Sequence, residues 1–285
     1  MSALVVTRES DTLLFECGEG TQRQMLRYGV GFALDEIVFT HFHADHFLGV
    51  TGLVRTLGLQ GRTEPLRLVG PRGAKRLLGQ ALSLGVEREA FEVEVVEVAP
   101  NDVLERDGYA LKVFAVEHGG SAVGYALQEK RRLGRFNPDR ARELGVPEGP
   151  LWGLLQRGQA VRLPDGREVT PETIVGVPRP GRTLVYTGDT RPCAATVEAA
   201  RGADLLVHEA TFGEEERDRA KETAHATARE AAEVARVAGV RRLVLTHLSA
   251  RYSRDPSALL EEARAVFPET VVAKDGMEIE VPLQD

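Results

Sequence analysis

Short apolar runs recur along the whole chain, and most stop at Gly, Asp or His. They read A-L-V-V-T-R from residue 3, T-L-L-F-E-C from 12, E-I-V-F-T-H from 36, L-R-L-V-G from 66 and Y-A-L-K-V-F-A-V-E-H from 109. Later come T-L-V-Y-T-G-D from 183, D-L-L-V-H-E-A from 204 and R-L-V-L-T-H from 242. Each is strand length, rich in branched and aromatic side chains, and bounded by turn formers. Helical patterns lie between them at 18–28, 47–59, 72–84, 192–201, 225–239 and 256–266. That alternation specifies a mixed α/β chain. With 285 residues, 42% of them hydrophobic, it can bury one large core or two ordinary ones. The pattern at 225–239 sets Ala228, Ala231, Ala232, Val234, Ala235 and Ala238 against Arg229, Glu230, Glu233 and Arg236, which is amphipathic packing and carries no chemistry.

Several classes of protein are excluded by what is missing. No apolar run reaches about 18 residues, and no basic stretch followed by an apolar one opens the sequence, so neither a membrane span nor a secretory signal is expected. The expected location is the cytoplasm. Cys17 and Cys193 form no C-x-x-C pair and are too few for a disulfide framework, so both are expected to be reduced. A net charge of -7 argues against indiscriminate nucleic-acid binding while leaving room for a local basic surface. One segment offers such a surface. Residues 129–181 interrupt the α/β rhythm with Arg, Gly and Pro, and between Gln128 and Leu163 Lys130 and seven arginines face only Glu129, Asp139, Glu143 and Glu148. We read 1–285 as a single domain into which 129–181 is inserted; by composition alone the insertion is a solvated loop with a short helix. No internal repeat or low-complexity tract is present.

The chemistry concentrates at the stretch T-H-F-H-A-D-H-F-L-G beginning at residue 40, which holds His41, His43, Asp45 and His46 in a chain with only seven histidines. Imidazole nitrogen and carboxylate oxygen are the usual donors for zinc, iron or manganese, and such a cluster has little packing value. A strand ending at Thr40 would deliver His41 and His43 to one side, able to share an ion, while Asp45 and His46 follow in a turn and point towards a second. Further ligands belong at other strand ends, where a rigid sheet edge fixes geometry. His118, Asp189 and His247 stand there. The expected sets are His41, His43 and His118 for one ion, Asp45, His46 and His247 for the other, and Asp189 as a bridge. Two ions about 3.5 to 4 Å apart activate a water at neutral pH, so hydrolysis follows. His208 alternates with Glu209 along its strand and is expected to point away, in a supporting or core role.

The pattern H-x-H-x-D-H followed by separated His, Asp and His resembles the metallo-β-lactamase superfamily, which implies an αβ/βα sandwich of two mixed sheets with outer helices. Four further stretches, C-G-E-G-T-Q-R-Q at 17–24, H-E-A-T-F at 208–212, A-H-A-T at 224–227 and G-P-L-W-G at 149–153, resemble the short form of the ribonuclease Z family over nearly the whole chain. The resemblance implies a zinc-dependent endoribonuclease. Its substrate is precursor tRNA, whose 3′ trailer is removed by hydrolysis after the discriminator nucleotide, leaving a 3′-hydroxyl tRNA and a 5′-phosphate trailer. It also implies two Zn2+ per subunit, with Mn2+ or another divalent metal as a substitute. Asp45 would accept a proton from the attacking, metal-bridging hydroxide, and His225, supported by Glu209, would donate one to the departing 3′ oxygen. The insertion becomes an arm gripping the body of tRNA, and the protein a homodimer. Cationic contacts to phosphate add affinity without reading sequence, which suits an enzyme that measures the shape of many tRNAs.

Two departures from the family accompany the match. Members begin with a further strand and a P-x-K-x-R-N loop ahead of V-S-A-L, whereas this sequence opens Met1-Ser2-Ala3-Leu4, which leaves trailer recognition and handling of the CCA end open. Glu16 stands where members commonly carry Asp, a change that moves a contact behind the ligands without removing a ligand. Two alternatives stay in view: a small-molecule phosphodiesterase or esterase using the same dinuclear metal site, and a tRNA-binding protein with impaired catalysis.

Overall fold

A computed structural model of the protein describes residues 2–85 and 90–284. The first sheet holds β1 (Leu4–Arg8), β2 (Asp11–Phe15), β3 (Glu36–Val38), β4 (Leu66–Pro71) and β5 (Val93–Val98), in that spatial order. β1 and β2 form an antiparallel hairpin, and the later neighbours are parallel. Parallel neighbours need long crossovers, and these carry helices. α1 (Thr21–Tyr28) lies between β2 and β3, α2 (Ala44–Phe47) and α3 (Val50–Leu59) between β3 and β4, and α4 (Ala74–Leu82) between β4 and β5.

β6 (Val103–Glu105), β7 (Tyr109–Ala115) and β8 (Val123–Glu129) open a second sheet. The chain then passes through α5 (Pro138–Glu143), α6 (Pro150–Gln156) and the small hairpin β9 (Val161–Arg162) and β10 (Glu168–Val169). It continues as β11 (Thr183–Tyr186), α7 (Ala194–Ala199), β12 (Leu205–Glu209), α8 (Arg217–Glu222), α9 (Ala228–Ala238), β13 (Leu243–Thr246), α10 (Ser257–Arg264) and β14 (Thr270–Val272). The second sheet runs β14-β13-β12-β11-β8-β7-β6, with β11 to β14 parallel.

Strand periodicity sorts the side chains into layers. Leu14 of β2 faces a buried cluster with Ile37, Leu68, Leu53, Leu57 and Leu78, so α3 and α4 cover the outer side of the first sheet. Its neighbour Phe15 points the other way, and its ring meets Tyr125 of β8 at 6.1 Å and Tyr186 of β11 at 5.6 Å. The outer side of the second sheet is covered by α9, whose alanines pack on Leu206, Leu243 and Leu245. The result is the expected αβ/βα sandwich.

The chain divides into two compact units, one of Met1–Glu105, Leu111–Leu127 and Thr183–Glu280, the other of Arg106–Ala110, Gln128–Arg182 and Val281–Asp285. The second has its own small core of Ala141, Val146, Leu155, Val161, Leu163, Val169 and Ile174. Asn137 caps α5 by accepting from Arg140 N, with Pro138 next, so the short helix has a defined start. Trp152 of G-P-L-W-G is half-buried, donates Nε1 to Val146 O at 3.1 Å and packs 5.1 Å from the Phe136 ring.

Candidate metal centre

Segments that follow β3, β7, β11 and β13, together with α2, gather their polar side chains around one carboxylate. Asp189 follows β11 and is 3% exposed. Its Oδ2 lies 3.7 Å from His41 Nε2, 3.7 Å from His118 Nε2, 3.3 Å from His46 Nε2 and 3.3 Å from His247 Nε2. His43 Nδ1 and His118 Nε2 approach to 3.1 Å, and Asp45 Oδ2 lies 3.6 Å from His46 Nε2 and 3.5 Å from His247 Nε2. Four overlapping donor groups result, His41-His43-His118-Asp189, Asp45-His46-His247, Glu16-His41-His46 and Asp189-His225-His247. All seven candidate ligands read from the sequence therefore lie together in one cluster.

The donor set fits divalent metal. Ligand bonds of about 2.0–2.1 Å in a tetrahedron put neighbouring donor atoms about 3.4 Å apart, close to the spacings around Asp189. His41 Nε2, His46 Nε2 and Asp189 Oδ1 are buried without a hydrogen-bond partner, an arrangement that is costly unless something else engages them. Other contacts fix which nitrogen of each ring faces inwards. His118 Nδ1 donates to Ala224 O at 2.8 Å, which directs Nε2 to the centre. Ala224 has φ 58, a left-handed conformation that turns its carbonyl towards His118.

Electrostatics keeps most of these imidazoles ready to ligate. Burial, with the charge on His46 next, pushes His41 down to about 2. Burial and His118 likewise lower His43. For His46 burial opposes charge, but the carboxylates of Asp189 and Glu16, 3.3 Å and 3.7 Å away, outweigh it and raise it to about 10. A cation entering the site competes with that proton, so metal affinity rises with pH. The His247 imidazole 3.5 Å away, offset in part by burial, holds Asp45 well below the usual carboxylate range. Burial works against ionisation of Asp189, yet His46, 3.3 Å from its Oδ2, and the neighbouring His247 dominate and keep it low.

Beside the centre stands a carboxylate with four donors. Glu209 is fully buried at the end of β12; Oε1 accepts from Thr190 N at 3.0 Å and His225 Nδ1 at 2.7 Å, and Oε2 from Thr211 N at 3.1 Å and Thr211 Oγ1 at 2.7 Å. His225 precedes α9 and is pinned by its own N–H to Ala220 O at 2.8 Å, while the capping box of Thr227 and Glu230 fixes where the helix begins. Burial opposes the charged form of His225, but the bond to Glu209 prevails and its pKa is raised above 6.5. His208 faces the opposite side of β12, fully buried, with Nδ1 2.7 Å from Glu209 O.

Glu16, with φ 62, places Oε1 3.0 Å from Thr40 N, within hydrogen-bond reach of Thr40 Oγ1, and 3.7 Å from His46 Nδ1. The carboxylate at this departure from the family thus lies behind two ligands, and burial raises its pKa. Gly18 follows closely: a Cβ there would fall on the Asp45 carbonyl oxygen, so only glycine lets the C-G-E-G loop pass under the ligand helix. Two threonines had not been singled out, Thr40 and Thr211; both stood inside quoted motifs, but a hydroxyl announces itself only through its neighbours.

Fold and donor set together define a metal-dependent hydrolase. A family model, the Beta-lactamase superfamily domain, matches residues 12–142 and 156–248. The sequence is 60% identical over 286 residues to a ribonuclease Z of Myxococcus xanthus, covering 100% of this chain and 93% of that one. It is 58% identical over 287 residues to the ribonuclease Z of Gemmatimonas aurantiaca, covering 100% and 91%. Among solved structures, human tRNase Z, short form, matches with a TM-score of 0.71 and 26% identity over 99% of this chain and 93% of that one. The chain belongs to the ribonuclease Z family.

Proposed function

We propose that the protein is a zinc-dependent endoribonuclease that removes the 3′ trailer of precursor tRNA. The observation that carries this reading is the convergence of His41, His43, Asp45, His46, His118, Asp189 and His247 into one cluster of donor atoms, in a chain similar to ribonuclease Z over its full length. Two zinc ions, or manganese in their place, would be held by His41, His43 and His118 and by Asp45, His46 and His247, with Asp189 shared between them. When bound, such ions supply Lewis-acid charge at the scissile phosphate and an acidified water. Asp45, ionised and 43% exposed, takes the proton of the attacking water. His225, its Nδ1 committed to Glu209, uses Nε2 to protonate the departing 3′ oxygen. A 3′-hydroxyl tRNA and a 5′-phosphate trailer result. Such an enzyme works in the cytoplasm; among the described residues no helix is long and apolar enough to cross a membrane.

The second unit supplies the grip on RNA. Arg140 and Arg142 pair with Glu143, Asp139 and Glu148, while Arg131, Arg157 and Arg162 are exposed and suited to phosphate contacts. The test is a labelled precursor tRNA incubated with the zinc or manganese form. One cut after the discriminator nucleotide is expected. Deleting 136–160 abolishes that cut and leaves hydrolysis of bis-p-nitrophenyl phosphate within about threefold; equal loss of both activities removes the gripping role. Cleavage of the small diester by the intact chain without any cut in precursor makes it a small-molecule phosphodiesterase instead, and tight RNA binding without either activity a binder.

The active form is a homodimer. In support, Leu26 of α1 is 61% exposed and Leu59 at the end of α3 is 90% exposed, large apolar side chains that a second copy would cover. Sedimentation equilibrium should return twice the 31.1 kDa chain mass, and a monomer at micromolar concentration contradicts the dimer.

A further inference from the structure

Thr211 touches both halves of the site. Its Oγ1 lies 2.7 Å from Glu209 Oε2, 2.9 Å from His247 Nδ1, 3.1 Å from His247 O and 3.3 Å from His225 Nδ1. A hydroxyl has one proton to give and two lone pairs to receive with. The carboxylate is the shortest and the only anionic acceptor, so the proton goes to Glu209. His225 Nδ1 already donates to Glu209 Oε1 at 2.7 Å, which leaves the hydroxyl's acceptor side to His247 Nδ1–H. With the proton of that ring on Nδ1, the Nε2 lone pair faces Asp45 and Asp189.

We propose that Thr211 is a positioning residue that sets His247 as a metal ligand and aims Glu209 at His225 through one hydroxyl. The inference rests on the metal centre proposed above. The same chain of groups appears on the other side of the site, where Thr40 Oγ1 bonds Glu16 Oε1 and lies 3.0 Å from His41 Nδ1. In each case a buried carboxylate orients a hydroxyl, and the hydroxyl fixes the tautomer of a ligand that has no carboxylate of its own behind it. His247 needs the restraint more than its counterpart. β13 ends at Thr246, and His247 adopts φ 54, a left-handed backbone that a side chain-bearing residue keeps only when its surroundings hold it. Thr211 O also accepts from Ser249 N at 3.1 Å, tying the loop beyond His247 to the same residue.

Thr211→Val keeps the shape and removes the hydroxyl; Thr211→Ser keeps the hydroxyl. Zinc affinity measured by competition with a chromogenic chelator, with no RNA present, should fall about 10- to 100-fold for one of two ions in the Val variant and stay within about threefold in the Ser variant. The other ion should keep wild-type affinity in both. On precursor tRNA at saturating zinc, kcat should drop in the Val variant while KM is unchanged, because Glu209 no longer aims His225. Thermal midpoints in EDTA should agree among the three proteins, separating positioning from folding. Wild-type zinc affinity in Thr211→Val, or a Ser variant as defective as Val, overturns the proposal and leaves the metal centre intact. A wild-type chain that binds no zinc overturns both.

Discussion

Asp45→Ala should lower kcat/KM on precursor tRNA on the order of 10⁴-fold, the largest effect of any single substitution considered. Two losses combine. Removing a positioned proton acceptor costs about 10²- to 10⁴-fold, and the group with His46 and His247 loses its one private carboxylate, since Asp189 is shared with the other donors. Asp45→Asn separates them. The amide oxygen can still face the ion but accepts no proton, so metal content should largely persist while the rate stays low. Inductively coupled plasma mass spectrometry and single-turnover cleavage read the two quantities independently; an Asn variant with near wild-type turnover would exclude Asp45 as the proton acceptor.

His225→Ala should lower precursor cleavage by about 10²- to 10⁴-fold without loss of metal, because the proposed role of His225 is to give a proton and its Nδ1 is committed to Glu209. Hydrolysis of bis-p-nitrophenyl phosphate should change little. Its phenolate leaves without assistance, whereas the 3′ oxygen of an RNA needs a proton. The pH profile follows from the raised pKa. His225 is protonated below its pKa, so the contribution to rate is present on the acid side and disappears as pH climbs through a value higher than that of a free imidazole. Glu209→Gln removes the anion that sustains the charge and should move the alkaline limb to lower pH. An alkaline limb unmoved in Glu209→Gln, or equal losses on both substrates in His225→Ala, would contradict the role of general acid.

The candidate ligand set can be read in one dimension because it stands at strand ends, where an apolar run meets a single His or Asp. His118, Asp189 and His247 are recognisable for that reason, although their mutual distances belong to the folded chain. Local detail shifted. β3 ends at Val38 rather than Thr40, so His41 and His43 leave the sheet through an extended segment, and Asp45 and His46 lie in the short α2 rather than in a turn. The expected helix at 225–239 begins at Ala228, since Thr227 and Glu230 form a capping box and leave His225 outside, free to reach Glu209.

Elements that escaped the sequence are those whose pattern is short or mixed. β5 reads V-E-V-V-E-V at the edge of its sheet, and β8 carries Gly124 and Gln128 within its run, which weakens its strand character. The segment 129–181 announced charge and concealed order. Its core positions, Ala141, Val146, Leu155, Val161 and Ile174, are spread among Arg, Gly and Pro and lie on elements of seven residues or fewer or in the turns between them, too short for periodicity to show. Thr40 and Thr211 are hidden for a different reason: their partners are Glu16 with His41 and Glu209 with His247, and two of those four pairings, Thr40 with Glu16 and Thr211 with His247, join segments distant in sequence.

Metal content per chain bears on the centre most directly. Purified protein stripped with chelator, refilled with zinc and freed of excess should carry two ions per chain, falling to one in a His247→Ala variant. A refilled wild-type chain that retains none, with its fold intact by circular dichroism, would show that the side chains gathered around Asp189 do not form the metal centre on which the nuclease reading depends.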